Sequence, residues 1–260
     1  MGIGPYELII NGIRVEIYGR PSSSPPLLFI HGGLHGSWVW EKMAHRLADD
    51  GWYAACLNWY GHHGSVKLPD QTALTRSVLD ITTEIGTVAE ILSRAPVLIA
   101  HGMGALAGLA YATQEPVAAL ILIAPVVPAE FDGDIVDLAV EPTAMWVASP
   151  ESAKRIWWDK VSDAESWRYA SLLCPESPRA VLEATRWLCA VDTSRVEAPA
   201  LVFAAGADPL IAAAQVRSLA QAIDATFVLL DGEGHGIPVN PINSQVSRQI
   251  TEWLSARRLG

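Results

Sequence analysis

Short apolar runs alternate with stretches of helical spacing along most of this chain. The runs at 27–30, 53–57, 97–100, 118–124, 200–204 and 226–230 predict strands, and those at 27–30 and 118–124 have the unbroken apolar character of strands buried on both faces. Between them the period changes. Within 75–94, Val78, Ile81, Ile85, Val88 and Leu92 fall on one stripe, and near the end Val246, Ile250, Trp253 and Leu254 form another, which predicts amphipathic helices. A helix is also expected from about residue 41 to Asp50. At the start, apolar segments 7–10 and 13–18 flank Asn11-Gly12, a dipeptide suited to the positive φ angles of a tight antiparallel hairpin. Strands alternating with helices imply an α/β fold with a mostly parallel sheet.

From 126 to 197 the alternation stops. Ser149-Pro150 and Ser177-Pro178 are helix starts, and Ser162 with Glu165 three residues later is a capping box. This predicts a single domain in which residues 1–125 and 198–260 form the core and residues 126–197 an inserted helical cap. The cap carries five of the ten tryptophans: Trp146, Trp157, Trp158, Trp167 and Trp187.

Composition narrows the partners. The chain has 260 residues, half of them apolar, with a net charge of -10. That balance offers no basic stripe for a phosphate backbone. The longest apolar run, 117–127, is too short for a membrane span and contains Pro125. Neither nucleic acid nor membrane is an expected partner. Residues 1–6 lack the basic and apolar regions of a secretion signal, so a cytoplasmic protein is expected. Cys56, Cys174 and Cys189 lack metal-ligand spacing and are expected as reduced, buried thiols. The sequence implies no metal and no cofactor.

The chemistry gathers around residues 97–105, where an apolar run ends in His101-Gly102-Met103-Gly104 and passes into a helical pattern. A strand, a sharp turn and a helix form the nucleophile elbow G-x-S-x-G, which holds a serine at its tip. Here the tip is Gly102, so the hydroxyl is missing. Other glycine-bearing loops follow the strands: His31-Gly32-Gly33, Gly61-His62-His63-Gly64-Ser65, Gly206-Ala207-Asp208-Pro209 and Gly234-His235-Gly236.

In order and spacing these pieces resemble the α/β-hydrolase superfamily over nearly the whole chain, and residues 31–38 are similar to its hydroxynitrile lyase and plant methylesterase branch. The resemblance implies that Asp208 is the acid, His235 the base and Gly102 the nucleophile position, with an oxyanion hole made by the backbone N–H groups of Gly33 and Met103. An acyl-enzyme needs the missing oxygen, and losing the nucleophile of such a triad can cost about six orders of magnitude. An oriented histidine base and two oxyanion donors remain sufficient for proton-transfer chemistry.

The reading that follows is a cofactor-independent enzyme working without an acyl intermediate. His235, oriented by Asp208, would abstract a proton from an aromatic or polyketide-like secondary metabolite, leading to C–C or C–O bond formation or cleavage, as in cyclases and lyases of the superfamily. A hydrolase in which His235 activates water, and a non-catalytic small-molecule binder, are the alternatives. Leu34, His35, His101, Trp146, Trp157 and Trp158 are the expected substrate-binding residues. Oligomeric state is not fixed by the sequence.

Overall fold

The hairpin forms at the predicted dipeptide: Asn11 and Gly12 take φ of 49° and 84° and join β1 (Tyr6–Ile10) to β2 (Ile13–Tyr18). The computed structural model describes residues 5–259. The expected absence of a targeting segment rests mainly on residues 1–4, outside the described range. Six further strands follow: β3 (Leu27–Ile30), β4 (Ala54–Leu57), β5 (Val97–His101), β6 (Ala119–Pro125), β7 (Ala200–Ala205) and β8 (Thr226–Leu230). They form one sheet in the order β1-β2-β4-β3-β5-β6-β7-β8, with the hairpin antiparallel and β3 to β8 parallel.

Both faces of β3 to β7 are covered, which is why these strands read as unbroken apolar runs, whereas the edge strands β1 and β8 carry exposed positions. Leu28, Ile30, Leu98, Ala100, Leu120 and Leu122 pack on one side, with α3 (Ile81–Ala89) and α4 (Gly102–Ala112). Leu27, Phe29, Val97, Ile99, Ile121 and Ile123 pack on the other, with α1 (Glu41–Asp49) and α9 (Asn243–Ala256). The period of two distributes neighbouring residues between two cores. Val246, Ile250, Trp253 and Leu254 of α9 are all buried, as their stripe predicts.

One predicted helix divides. In place of a continuous element over 75–94 there are α2 (Asp70–Thr75), a short 3-10 turn at Val78–Asp80 and α3, which ends at Ala89. The cause is local: Arg76 and Ser77 are extended, and Ser77 with Asp80 forms a capping box that starts a new helix. The stripe survives the break, since Val78, Ile81, Ile85 and Val88 are buried.

Between β6 and β7 lie α5 (Pro150–Trp157), α6 (Asp163–Ala170) and α7 (Pro178–Thr185), starting at the predicted serine caps Ser149, Ser162 and Ser177. The cap tryptophans separate by environment. Trp158 is fully buried, Trp157 and Trp187 nearly so, Trp146 is half-buried, and Trp167 is exposed. A further helix of the core, α8 (Ala213–Ala222), links β7 to β8. Among the described residues no helix is long and apolar enough to cross a membrane. The three cysteines are free thiols. Cys56 and Cys189 are buried as expected, whereas Cys174 is only half-buried, because it lies in the cap's docking loop rather than in the core.

Candidate active site

The turn from β5 into α4 puts Gly102 at φ +55°, a conformation that costs a side-chain-bearing residue strain and glycine none. Two contacts hold this elbow. The Gly102 carbonyl accepts from the Val126 N–H at 3.0 Å, and Gly104 brings α4 so close to the His31 carbonyl that no Cβ would fit between them.

Asp208 and His235 come to the elbow from the loops after β7 and β8. Asp208 Oδ1 accepts from the backbone N–H groups of Leu210 (2.8 Å) and Ile211 (3.2 Å), which fixes the carboxylate. Its Oδ2 accepts from His235 Nδ1 at 2.8 Å, and both side chains are buried. With the proton committed to Nδ1, Nε2 is left as the basic nitrogen. A Cβ built on Gly102 would lie 3.2 Å from His235 Nε2, so this nitrogen is directed at the place a nucleophile would occupy. It has no hydrogen-bond partner among the described residues. The predicted acid, base and elbow are therefore brought together.

His101 supports the base from behind. Its Nε2–H donates to the His235 carbonyl at 2.9 Å, and the two rings lie 4.7 Å apart. Burial first, then the proximity of His235, holds the His101 pKa well below the usual imidazole range, so it stays neutral. Its Nδ1 would be 2.8 Å from any Cβ on Gly32, which ties a glycine at 32 to this ring.

The two expected oxyanion donors flank the same space. The Gly33 N–H has no acceptor among the described residues, and Met103 is the second residue of α4, where the first N–H groups lack intrahelical partners. Met103 Sδ would lie 2.5 Å from a Cβ on Gly33, so the thioether packs across the glycine. The next residue, Leu34, takes φ +64° although it is a bulky non-glycine.

Above these groups lies a largely apolar cavity of about 50 Å³, lined by Gly33, Leu34, His101, Met103 and His235 from the core and by Trp146, Ile156 and Trp157 from the cap side. Two expected binding residues are corrections. Trp158 is fully buried and His35 is 2% exposed, and neither lines the cavity. The His35 ring packs against Trp38 (5.5 Å), Trp157 (5.2 Å) and Trp158 (6.5 Å), where burial, and then His235, pushes its pKa down to about 3. Both side chains belong to the core behind the pocket wall.

Sequence reasoning missed much of the lining. Val136, Leu138, Val181, Leu210 and Ile211 also face the cavity, and as ordinary apolar residues they carried no signal. Glu176 was missed as well. Its Oε2 accepts from Leu34 N–H at 3.1 Å and lies 3.2 Å from His62 Nε2, and its Oε1 accepts from Ser177 N–H at 2.9 Å. Among the described residues no group of three or more His, Cys, Asp or Glu is placed to hold a metal ion.

The sequence model of the alpha/beta hydrolase family matches residues 27–243. Among solved structures, the thioesterase domain from the curacin biosynthetic pathway is similar at 19% identity and TM-score 0.69, covering 95% of this chain and 98% of that one. The enol-lactonase from Burkholderia xenovorans LB400 is similar at 15% identity and TM-score 0.72, covering 96% and 100%. E-2-(acetamidomethylene)succinate hydrolase is similar at 20% identity and TM-score 0.69, covering 98% and 100%. These likenesses show a shared fold. No curated protein matches the chain in sequence.

Proposed function

The chain belongs to the alpha/beta hydrolase family, and on that premise we propose that it is a cofactor-independent enzyme that works by general-base catalysis without an acyl-enzyme. One observation carries the reading. The Asp208–His235 pair is intact at 2.8 Å, and its basic nitrogen faces an elbow that has no hydroxyl. His235 Nε2 takes a proton from an acidic C–H or O–H of the substrate. The electron pair passes to a substrate oxygen, which the N–H groups of Gly33 and Met103 receive. Collapse of that anion makes or breaks a C–C or C–O bond, and the imidazolium returns the proton. A positioned base supplies about a hundred- to ten-thousand-fold, and each oxyanion donor a few kcal/mol.

We assign the substrate to the aromatic or polyketide-like class because apolar groups, including Trp146 and Trp157, dominate the lining. Size adds a condition. The cavity of about 50 Å³ is smaller than the about 150 Å³ that admits benzene in a protein interior, so a ring enters only as cap residues move aside.

A probe that needs only a base tests this. 5-Nitrobenzisoxazole opens when its ring C–H is deprotonated, breaking the N–O bond to give a coloured cyanophenolate. Turnover is expected, together with no labelling by a fluorophosphonate. Stoichiometric labelling of a serine overturns the reading. A second reading has one observation behind it: the cavity has room for a water against the unpartnered Nε2. For that hydrolase, oxygen from labelled water would appear in the product.

A further inference from the structure

Leu34 is the strained member of the oxyanion loop, and both its backbone groups are tied to one segment of the cap. The Leu34 N–H donates to Glu176 Oε2 at 3.1 Å, and the Leu34 carbonyl accepts from the Cys174 N–H at 2.8 Å. Glu176 reaches the loop across 142 positions of sequence. A carboxylate 3% exposed is costly to bury, and here each oxygen accepts from a backbone N–H. Oε1 takes the Ser177 N–H, and His62 Nε2, which also accepts from Trp59 Nε1–H at 3.1 Å, lies 3.2 Å from Oε2, with His62 Nδ1 at 3.2 Å from the Tyr60 carbonyl. Burial alone would raise the Glu176 pKa, but His62 and the backbone donors hold it below the usual carboxylate value.

The same residue is anchored in the cap. Glu176 and Trp146 exchange backbone hydrogen bonds of 2.8 and 2.9 Å, and the Trp146 ring lines the cavity. Glu176 Oε2 would lie 3.4 Å from a Cβ on Gly33, so the carboxylate abuts the residue whose N–H is the oxyanion donor. A left-handed leucine relaxes unless its neighbours fix it. Within the loop the His35 N–H closes a turn on the Gly32 carbonyl at 3.3 Å, and the contacts on Leu34's own N–H and carbonyl both come from the segment of Cys174 and Glu176.

We infer that Glu176 is a positioning residue, which clamps Leu34 in its left-handed conformation and so completes the oxyanion hole at Gly33 only while the cap is seated on the loop. The inference rests on the proposed base chemistry for its catalytic meaning, but the clamp itself is measurable without any substrate.

The test compares the parent with Glu176→Met, which keeps the volume and removes both acceptor oxygens, and Glu176→Gln, which keeps one. Amide hydrogen exchange at Leu34 and Gly33 is read by NMR, and turnover of 5-nitrobenzisoxazole by absorbance. In Glu176→Met the Leu34 amide is expected to exchange at least about tenfold faster, the loss of one hydrogen bond to a charged group, while the Gly33 amide, which has no acceptor, serves as the unprotected reference. kcat should fall by a similar factor with KM within about threefold, and Glu176→Gln should lie between. Should Glu176→Met not fold, Glu176→Gln decides on the same two readouts. Leu34 exchange unchanged in the folded variant overturns the clamp. Faster exchange with unchanged kcat overturns the positioning role. A parent with no turnover of the probe defeats the base reading instead, while the exchange rates still decide the clamp.

Discussion

Restoring the missing side chain, Gly102→Ser, perturbs the site at its centre. The Cβ would stand 3.2 Å from His235 Nε2 and 3.7 Å from the Gly32 Cα, at a backbone φ of +55°. The left-handed conformation costs a serine about 1–2 kcal/mol that glycine avoids. The 3.2 Å contact adds to this, because the imidazole must give by a few tenths of an ångström. The ring has little freedom, held by Asp208 at 2.8 Å on one nitrogen and packed on His101 at 4.7 Å. A loss of about 1–2 kcal/mol lowers Tm by roughly 2–8 °C in a chain of this size. The new hydroxyl also engages Nε2, the atom that removes the substrate proton. Turnover of 5-nitrobenzisoxazole is therefore expected to drop by about a hundredfold, the lower bound for a positioned base. Hydrolysis of p-nitrophenyl acetate should gain less than about tenfold, since a displaced imidazole no longer acts with the serine as a unit. Parallel assays of both substrates on the purified variant check this. Ester hydrolysis rising by several orders of magnitude, with stability unchanged, would show that the site is a hydrolase lacking only its serine and would refute the reasoning.

Three other perturbations separate the roles of neighbouring groups. Trp158→Ala empties a fully buried site and should cost about 3–5 kcal/mol of stability, seen as a lower urea midpoint, whereas Trp157→Ala should chiefly raise KM for the probe, and the reverse pattern would contradict the assignment of the cavity wall. Asp208→Asn removes the acceptor that fixes the His235 tautomer and should lower kcat by orders of magnitude with the fold intact by circular dichroism; near-parental kcat would move the base elsewhere. His31, His35 and His101 are each held neutral by burial, so below pH 6.5 the unfolded chain binds protons that the native chain does not, and stability falls as pH drops from 6.5 toward about 3. Each histidine contributes a slope of up to about 1.4 kcal/mol per pH unit, and urea unfolding at pH 7.5 and 5.5 should show the decline; equal stability at both would refute it.

The sequence disclosed what repeats in period or in order. Strand positions emerge from unbroken apolar runs because a doubly covered parallel sheet leaves no polar face, and the serine-capped helices of the cap emerge because capping is a local interaction. Asp208 and His235 are legible because each follows a strand in a fixed sequence of loops. The break at Arg76 and Ser77 was hidden because the stripe begins only at Val78, past it, and nothing in the spacing marks where the helix that carries it starts. Trp157 and Trp158 are adjacent and alike in composition, but α5 ends at Trp157 and Trp158 turns to φ −130°, sending the two rings into different surroundings. Glu176 was silent because its partners, Leu34 and His62, lie 142 and 114 positions away, and nothing local distinguishes it from a solvated glutamate.

The claim at the centre of this account is that His235 removes a proton without help from a nucleophile. Its most direct test is kcat for 5-nitrobenzisoxazole, protonated or deuterated at the reacting carbon, in the parent and in His235→Ala. The account predicts a primary isotope effect in the parent and a loss of at least about a hundredfold in His235→Ala, with KM little changed. Undiminished turnover in His235→Ala would contradict it.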